Sequence, residues 1–318
     1  MLELILKALA YSSGIALGAA GITIIYMATG TFNFAHASLV AWGFYIVFSL
    51  YSILGGSPYY YIPLAALFSG FLGVLIYVTV NRRLLKARAT MVTLMMSTLG
   101  IDLILFAFIN IYADYLTEHY KLSAARYFVL ELKDYVLGYV GETPIKAICI
   151  VAPIVMLAVT LSIHAFLKKS KFGIAMRAAI ENPSLASVLG INPEVVYLTA
   201  WFMGGALAGL AGGTLSLVIS GHPAVGMETI VTFFSGAIVG GLYSVFGSLL
   251  GGLLIGLSEY IGIYSLSMAF GGGVLVYRPM IPLLIMAITL LIYPRGLAGI
   301  NWGRIKAFLT SIASRGGR

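Results

Sequence analysis

Residues 8–81 read ALAYSSGIALGAAGITIIYMATGTFNFAHASLVAWGFYIVFSLYSILGGSPYYYIPLAALFSGFLGVLIYVTVN and contain no Asp, Glu, Lys or Arg. A helix needs about 20 apolar residues to cross a bilayer, so this stretch holds about three membrane spans. In hydrocarbon every backbone donor and acceptor needs an internal partner, and long apolar runs without period-two alternation fit helices rather than barrel strands. The fold class that follows is all-α, a polytopic integral membrane helical bundle.

Further apolar runs lie at residues 91–112, 145–167, 195–219, 228–246, 248–268 and 279–293. Together they make about eight to nine transmembrane helices in a single transmembrane domain over residues 1–318. Composition agrees, since 60% of the 318 residues are hydrophobic and only 9% charged, against roughly 25% charged in soluble domains.

The net charge of +8 does not indicate nucleic acid, because the basic residues form short patches between or after the apolar runs. The patches are Arg82, Arg83, Lys86 and Arg88; Lys168, Lys169, Lys171 and Arg177; and Arg295, Arg304, Lys306, Arg315 and Arg318. The positive-inside rule places all three in the cytoplasm and the protein in the cell membrane, inner or plasma, as a multi-pass chain. Residues 113–143 form the longest polar stretch, with Asp114, Glu118, Glu131, Asp134 and Glu142 against Lys121, Arg126 and Lys133, and are expected outside. Tyr59, Tyr60 and Tyr61, and Tyr112 and Tyr115 at the end of another span, mark the outer boundary, where ring and hydroxyl meet different solvents. Three spans before residue 82 put the N-terminus outside; a re-entrant segment among them would put it inside. The start MLELILK has an acid, no basic region and no clear small-residue cleavage site, which argues against a cleaved signal peptide.

Helices in lipid gain little from hydrophobic burial against one another, so small residues that let backbones approach matter more. Glycines recur at helical spacing in Gly14/Gly18, Gly205/Gly209/Gly213, Gly236/Gly240, Gly247/Gly251 and Gly252/Gly256. Packing seams are the reading these pairs favour, with a flexible gate as the alternative.

The cytoplasmic loop 168–194 carries its own helix punctuation. Asn182 can cap a helix whose first residue is Pro183, and Gly190 can supply a left-handed stop, for a helix of about two turns. Leu185, Val188 and Leu189 fall on one side with Ala186 and Ser187 small, leaving a short apolar ridge. Asn192 and Pro193 repeat the cap signal before the next span, and Glu194 suits the positive helix end. So short a helix is unstable alone; it lies either on its own bundle or against a cytoplasmic partner.

RAAIENPSLASVLGI (177–191) resembles the cytoplasmic loop of ABC importer permeases of the branched-chain amino-acid class, which carry an EAA-like coupling helix there. TFNFAHASLVAWGFY (31–45) is similar to the exit of that family's first span, LLIYPRGLAG (290–299) to its terminal segment, and TFFSGAIVGGLYSVFGSLLGGLLIGLSEY (232–260) to its glycine-rich segment. The chain departs from the family where Ala37 and Ser38 replace Gly-Glu, and where Asn182 replaces an aspartate. The resemblance implies one permease subunit, a second permease that is a paralogue, two cytoplasmic ATPase subunits and an extracytoplasmic solute-binding protein. It makes Glu181, Asn182, Pro183, Leu185, Ala186 and Gly190 the expected ATPase-coupling residues. ATP and Mg would be held by the partner ATPase and no cofactor by this chain, which has no G-x-x-x-x-G-K-[ST] loop.

Asn33, Phe34 and His36 are the candidate translocation-path residues, because polar side chains inside the membrane need partners or a water-filled path. The alternative is that Asn33 and His36 satisfy backbone groups at a helix break near Gly30. Asp102 in MSTLGIDLILFAF (96–108) is either a polar contact to another helix or a proton-coupling group of an ion-coupled secondary transporter acting alone. Glu228, Glu259 and Arg278 are read as packing or snorkelling residues without a role. His36, His119, His164 and His222 lack metal-ligand spacing, the single Cys149 allows no intrachain disulfide, and no nucleophile elbow occurs, so neither a metal centre nor a catalytic residue is expected.

Overall fold

The structure, a computed structural model, describes residues 2–122, 126–140 and 143–299. Glu142, Arg304, Lys306, Arg315 and Arg318 lie outside the described residues. The helices are α1 (Leu2–Thr29), α2 (His36–Leu54), α3 (Ile62–Ile76), α4 (Arg82–Lys86), α5 (Met91–His119), α6 (Ile148–Lys169), α7 (Lys171–Glu181), α8 (Pro183–Val188), α9 (Pro193–Leu215), α10 (Val225–Gly240), α11 (Val245–Phe270) and α12 (Met280–Ile292). A π-helical turn, Tyr77–Asn81, joins α3 to α4, and that run forms one continuous span from Pro58. Among the described residues eight helices are long and apolar enough to cross a membrane, and α10 is a shorter ninth.

Two differences from the sequence reading have local causes. Residues 228–246 do not form one span, because Gly241 (φ +105°) ends α10 and the Ser244 side chain accepts from Gly247 N to start α11. The segment expected to be a plain loop holds a two-stranded antiparallel hairpin, β1 (Val136–Val140) and β2 (Thr143–Lys146). Its start also shifts, since α5 continues to His119 and leaves Tyr112 and Tyr115 within the helix.

Contacts between the ends establish the sides. Lys7 pairs with Glu131 at 2.9 Å, so the start of α1 shares a face with the 126–146 segment. Glu194 pairs with Arg82, and with Lys86 at 3.8 Å, which ties the first basic patch to the start of α9. Gly241 lies against Ala298, bringing the α10–α11 turn beside the third. The expected cytoplasmic placement of the basic face would put the N-terminus outside, with three passes before the first basic patch ends.

α1 is the central post, buried over 94% of its most apolar stretch, whereas the most apolar stretch of the last span, Met280–Gly299, is 11% buried. Close approach at glycine builds this centre. A Cβ on Gly256 would stand 2.6 Å from the Ser12 Cα, one on Gly252 2.6 Å from the Ala16 Cα, and one on Gly73 2.5 Å from the Trp201 carbonyl. Gly236 and Gly252 face each other, as do Gly43 and Gly212. The spaced glycines are therefore packing seams.

α2 does not start at the membrane surface. From Thr29 at the inner face the chain turns at Gly30 (φ +64°) and runs back into the bundle, so that His36 begins α2 beside Gly21, about 12 Å along α1 from its inner end at 1.5 Å per residue. A second break, 216–224, separates α9 from α10 near the outer face. There Gly221 exchanges backbone hydrogen bonds of 2.8 and 2.9 Å with Phe128, whose ring stacks on Phe48 at 4.0 Å.

Candidate functional site

The first break is irregular backbone inside a membrane bundle, a situation tolerated only where side chains or water satisfy the exposed amides. α5 supplies that service from one face, through residues one turn apart. Phe34 N donates to Thr98 Oγ1 at 3.1 Å, and Thr98 Oγ1 donates to the Phe32 carbonyl at 3.2 Å. Ala35, at the cap position of α2, has no side-chain acceptor. Asp102 takes its place: Ser38 N donates to Asp102 Oδ1 at 3.0 Å and Ser38 Oγ to the same oxygen at 2.6 Å. An oxygen acceptor there takes up an amide that the first turn of a helix leaves open. Asp102 is thus a polar contact between helices.

Asn33, Phe34 and His36 all lie on this break but face different ways. Phe34 joins Phe32, Met95, Phe234, Leu283 and Met286 around an apolar cleft of about 330 Å³ between α5, α10 and α12. Asn33 and His36 are fully buried on the other side. Neither polar atom of Asn33 has a hydrogen-bond partner among the described residues. The His36 ring stands edge-on to Phe233, with the Gly18 carbonyl beside it but no hydrogen bond of regular geometry.

At the cytoplasmic face, Asn182 Oδ1 accepts from Leu185 N at 3.0 Å and opens α8, with Pro183 at its first position. Gly190 (φ +83°) follows its end, and Asn192 Oδ1 accepts from Glu194 N at 3.0 Å to begin α9. α8 has six residues, shorter than two turns, and is preceded by α7, whose start is capped by Ser170. Ala186 is buried against the bundle, while Leu185, Val188 and Leu189 are 58%, 83% and 71% exposed. Glu181 also faces solvent. An uncovered apolar ridge on a capped helix is a docking element in search of a groove.

Sequence reading missed the outer cluster. Glu259 of α11 accepts from Tyr11 Oη of α1 at 3.0 Å and from Arg278 Nε at 2.5 Å, and the guanidinium lies 4.7 Å from the Tyr11 ring centre. The only available signal was an acid within an apolar run, and its partners are distant in sequence. Among the described residues no group of three or more His, Cys, Asp or Glu could hold a metal.

Eight helices long and apolar enough to cross a membrane, among the described residues, make this a multi-pass membrane protein. Residues 4–308 match the family described as branched-chain amino acid transport system / permease component. The chain belongs to that family. It is 38% identical to the probable branched-chain amino acid transport permease protein LivH of Methanocaldococcus jannaschii, over 96% of this chain and 94% of the relative. It is 28% identical to the high-affinity branched-chain amino acid transport system permease protein LivH of Escherichia coli, over 89% and 91%. A shorter likeness, 36% over 107 residues and 32% of this chain and 33% of the relative, is to the nucleoside ABC transporter permease protein NupC of Lactococcus lactis. No solved structure matches.

Proposed function

We propose that this chain is one permease subunit of an ABC importer that moves branched-chain or related small amino acids inward. It works with a second, paralogous permease, two cytoplasmic ATPase subunits and an extracytoplasmic solute-binding protein. The end-to-end likeness to LivH proteins supports the substrate class. The observation that carries the mechanism is the capped α8 with its exposed ridge: Glu181, Asn182, Pro183, Leu185, Ala186 and Gly190 pass ATPase motion to α9 and the bundle. ATP and Mg belong to the partner ATPase. Phe34, on the apolar cleft, and Asn33 and His36, whose polar capacity is unspent, form this subunit's share of the path.

The ion-coupled alternative relied on Asp102, and the two hydrogen bonds from Ser38 give that carboxylate a structural task instead. Reconstitution separates the classes. In liposomes the chain alone is expected to take up no leucine under a proton or sodium gradient, while the full assembly takes it up with ATP. Gradient-driven uptake by the single chain would overturn the proposal. Competition between leucine and nucleosides for uptake by the assembly tests the substrate class.

A further inference from the structure

The Tyr11–Glu259–Arg278 cluster opens onto a cavity of about 310 Å³ on the outer half of the bundle, between α10, α11 and the turn before α12. This is the lower end of the range for small-molecule sites, roughly 300–1,000 Å³. Glu259 is 2% exposed, yet its Oε2 has no hydrogen-bond partner, and neither does Arg278 Nη2. A buried ion pair offsets the loss of water only when its remaining lone pairs and protons are satisfied. Here each member keeps one charged atom free, and both residues line the cavity. The other titratable wall residues, Glu228 and His222, lie 3.3 Å apart. The lining also includes the apolar residues Ile219, Val225, Leu275 and Val276.

We infer that this cavity is a binding site for the zwitterionic head of an aliphatic α-amino acid, with its ammonium donating to Glu259 Oε2, its carboxylate accepting from Arg278 Nη2 and its side chain on the apolar residues of the lining. The inference rests on the importer reading and places a substrate site at the outer entrance, before the break at 30–35. Charge-assisted hydrogen bonds of this kind are about twice as strong as neutral ones. A ligand lacking either charge leaves Glu259 Oε2 or Arg278 Nη2 unmatched.

The test uses the assembled importer in nanodiscs, with Cys149→Ser and Ser220→Cys, and follows maleimide modification at position 220, a half-buried residue on the cavity wall. Leucine is expected to slow modification about tenfold or more relative to 4-methylpentanoate and 3-methylbutylamine, each lacking one charge, because losing a hydrogen bond to a charged group costs about 1.5–3 kcal/mol. Glu259→Gln should abolish the protection by leucine. Equal protection by all three ligands, or none by leucine in a complex that imports it, overturns the site. If Glu259→Gln does not assemble, the three-ligand comparison decides alone. Protection by leucine in a complex that does not import it upholds the site and overturns the functional reading; absence of both overturns both.

Discussion

At the scale of single residues, Asp102 shows how a charge inside a membrane can be a cap. Its carboxylate receives two donors from Ser38, and these hold the first turn of α2 at mid-depth. Asp102→Asn keeps an acceptor oxygen at the same place and is expected to preserve assembly and uptake. Asp102→Leu removes it and strands the Ser38 amide, at a cost of about 1–3 kcal/mol, so the amount of folded chain in detergent should fall. Protein abundance and uptake per assembled complex read the two effects separately. Loss of uptake in Asp102→Asn at normal abundance would restore a proton-carrying role. A polar contact between helices was legible as one of two readings, but its partner was not, because Ser38 lies 64 residues away and nothing local announces the pair. The caps at Asn182 and Asn192 were legible, since each acts on an amide two or three residues ahead.

Elements divide along the same line between local and distant causes. Where one residue sets the backbone, as Gly190 and Gly241 do at positive φ, the boundary follows from residue type; the stop at Gly241 is still hidden within an apolar run. A break near Gly30 was legible from Gly30, Asn33 and His36, but the return of the chain into the bundle was not, because the group that satisfies it, Thr98, is distant in sequence. For α8 the expectation concerns coupling. Glu181→Lys reverses a charge on the cytoplasmic surface and Gly190→Trp forces a side chain into a left-handed position, while neither touches the spans. Both should insert normally yet hydrolyse ATP without uptake in the assembled importer. Intact coupling in both would remove α8 from the mechanism. Asn182→Ala, which deletes only the cap, should weaken α8 by about 1 kcal/mol and give a milder version of the same defect.

Over the whole molecule, the bundle is organised by α1 and by glycine contacts rather than by a hydrophobic core of the soluble kind, because lipid offers apolar side chains an equally apolar solvent. The α1–α11 seam is the sharpest case: Ser12, Ala16 and Ala19 lie directly against Gly256 and Gly252. Gly252→Leu places a side chain where the Ala16 Cα stands and must separate the two helices, with loss of the monodisperse protein. Gly100→Leu, at an exposed glycine with open space around it, is the matched control and should change little. The topology expectation follows from the Lys7–Glu131 pair at the start of α1 and the Glu194 contacts to Arg82 and Lys86 in the basic region, with that basic region inside. In a Cys149→Ser background, Leu2→Cys is therefore expected to react with an impermeant maleimide added outside intact cells, and Val188→Cys only after the membrane is opened. Addition of the ATPase subunits should then shield Val188→Cys, which lies on the exposed ridge of α8, and leave Leu2→Cys unchanged. Reaction of both from outside would refute the three-pass reading of residues 2–88. Unshielded Val188→Cys in an assembled complex would instead leave the topology standing and remove the ridge from the ATPase contact.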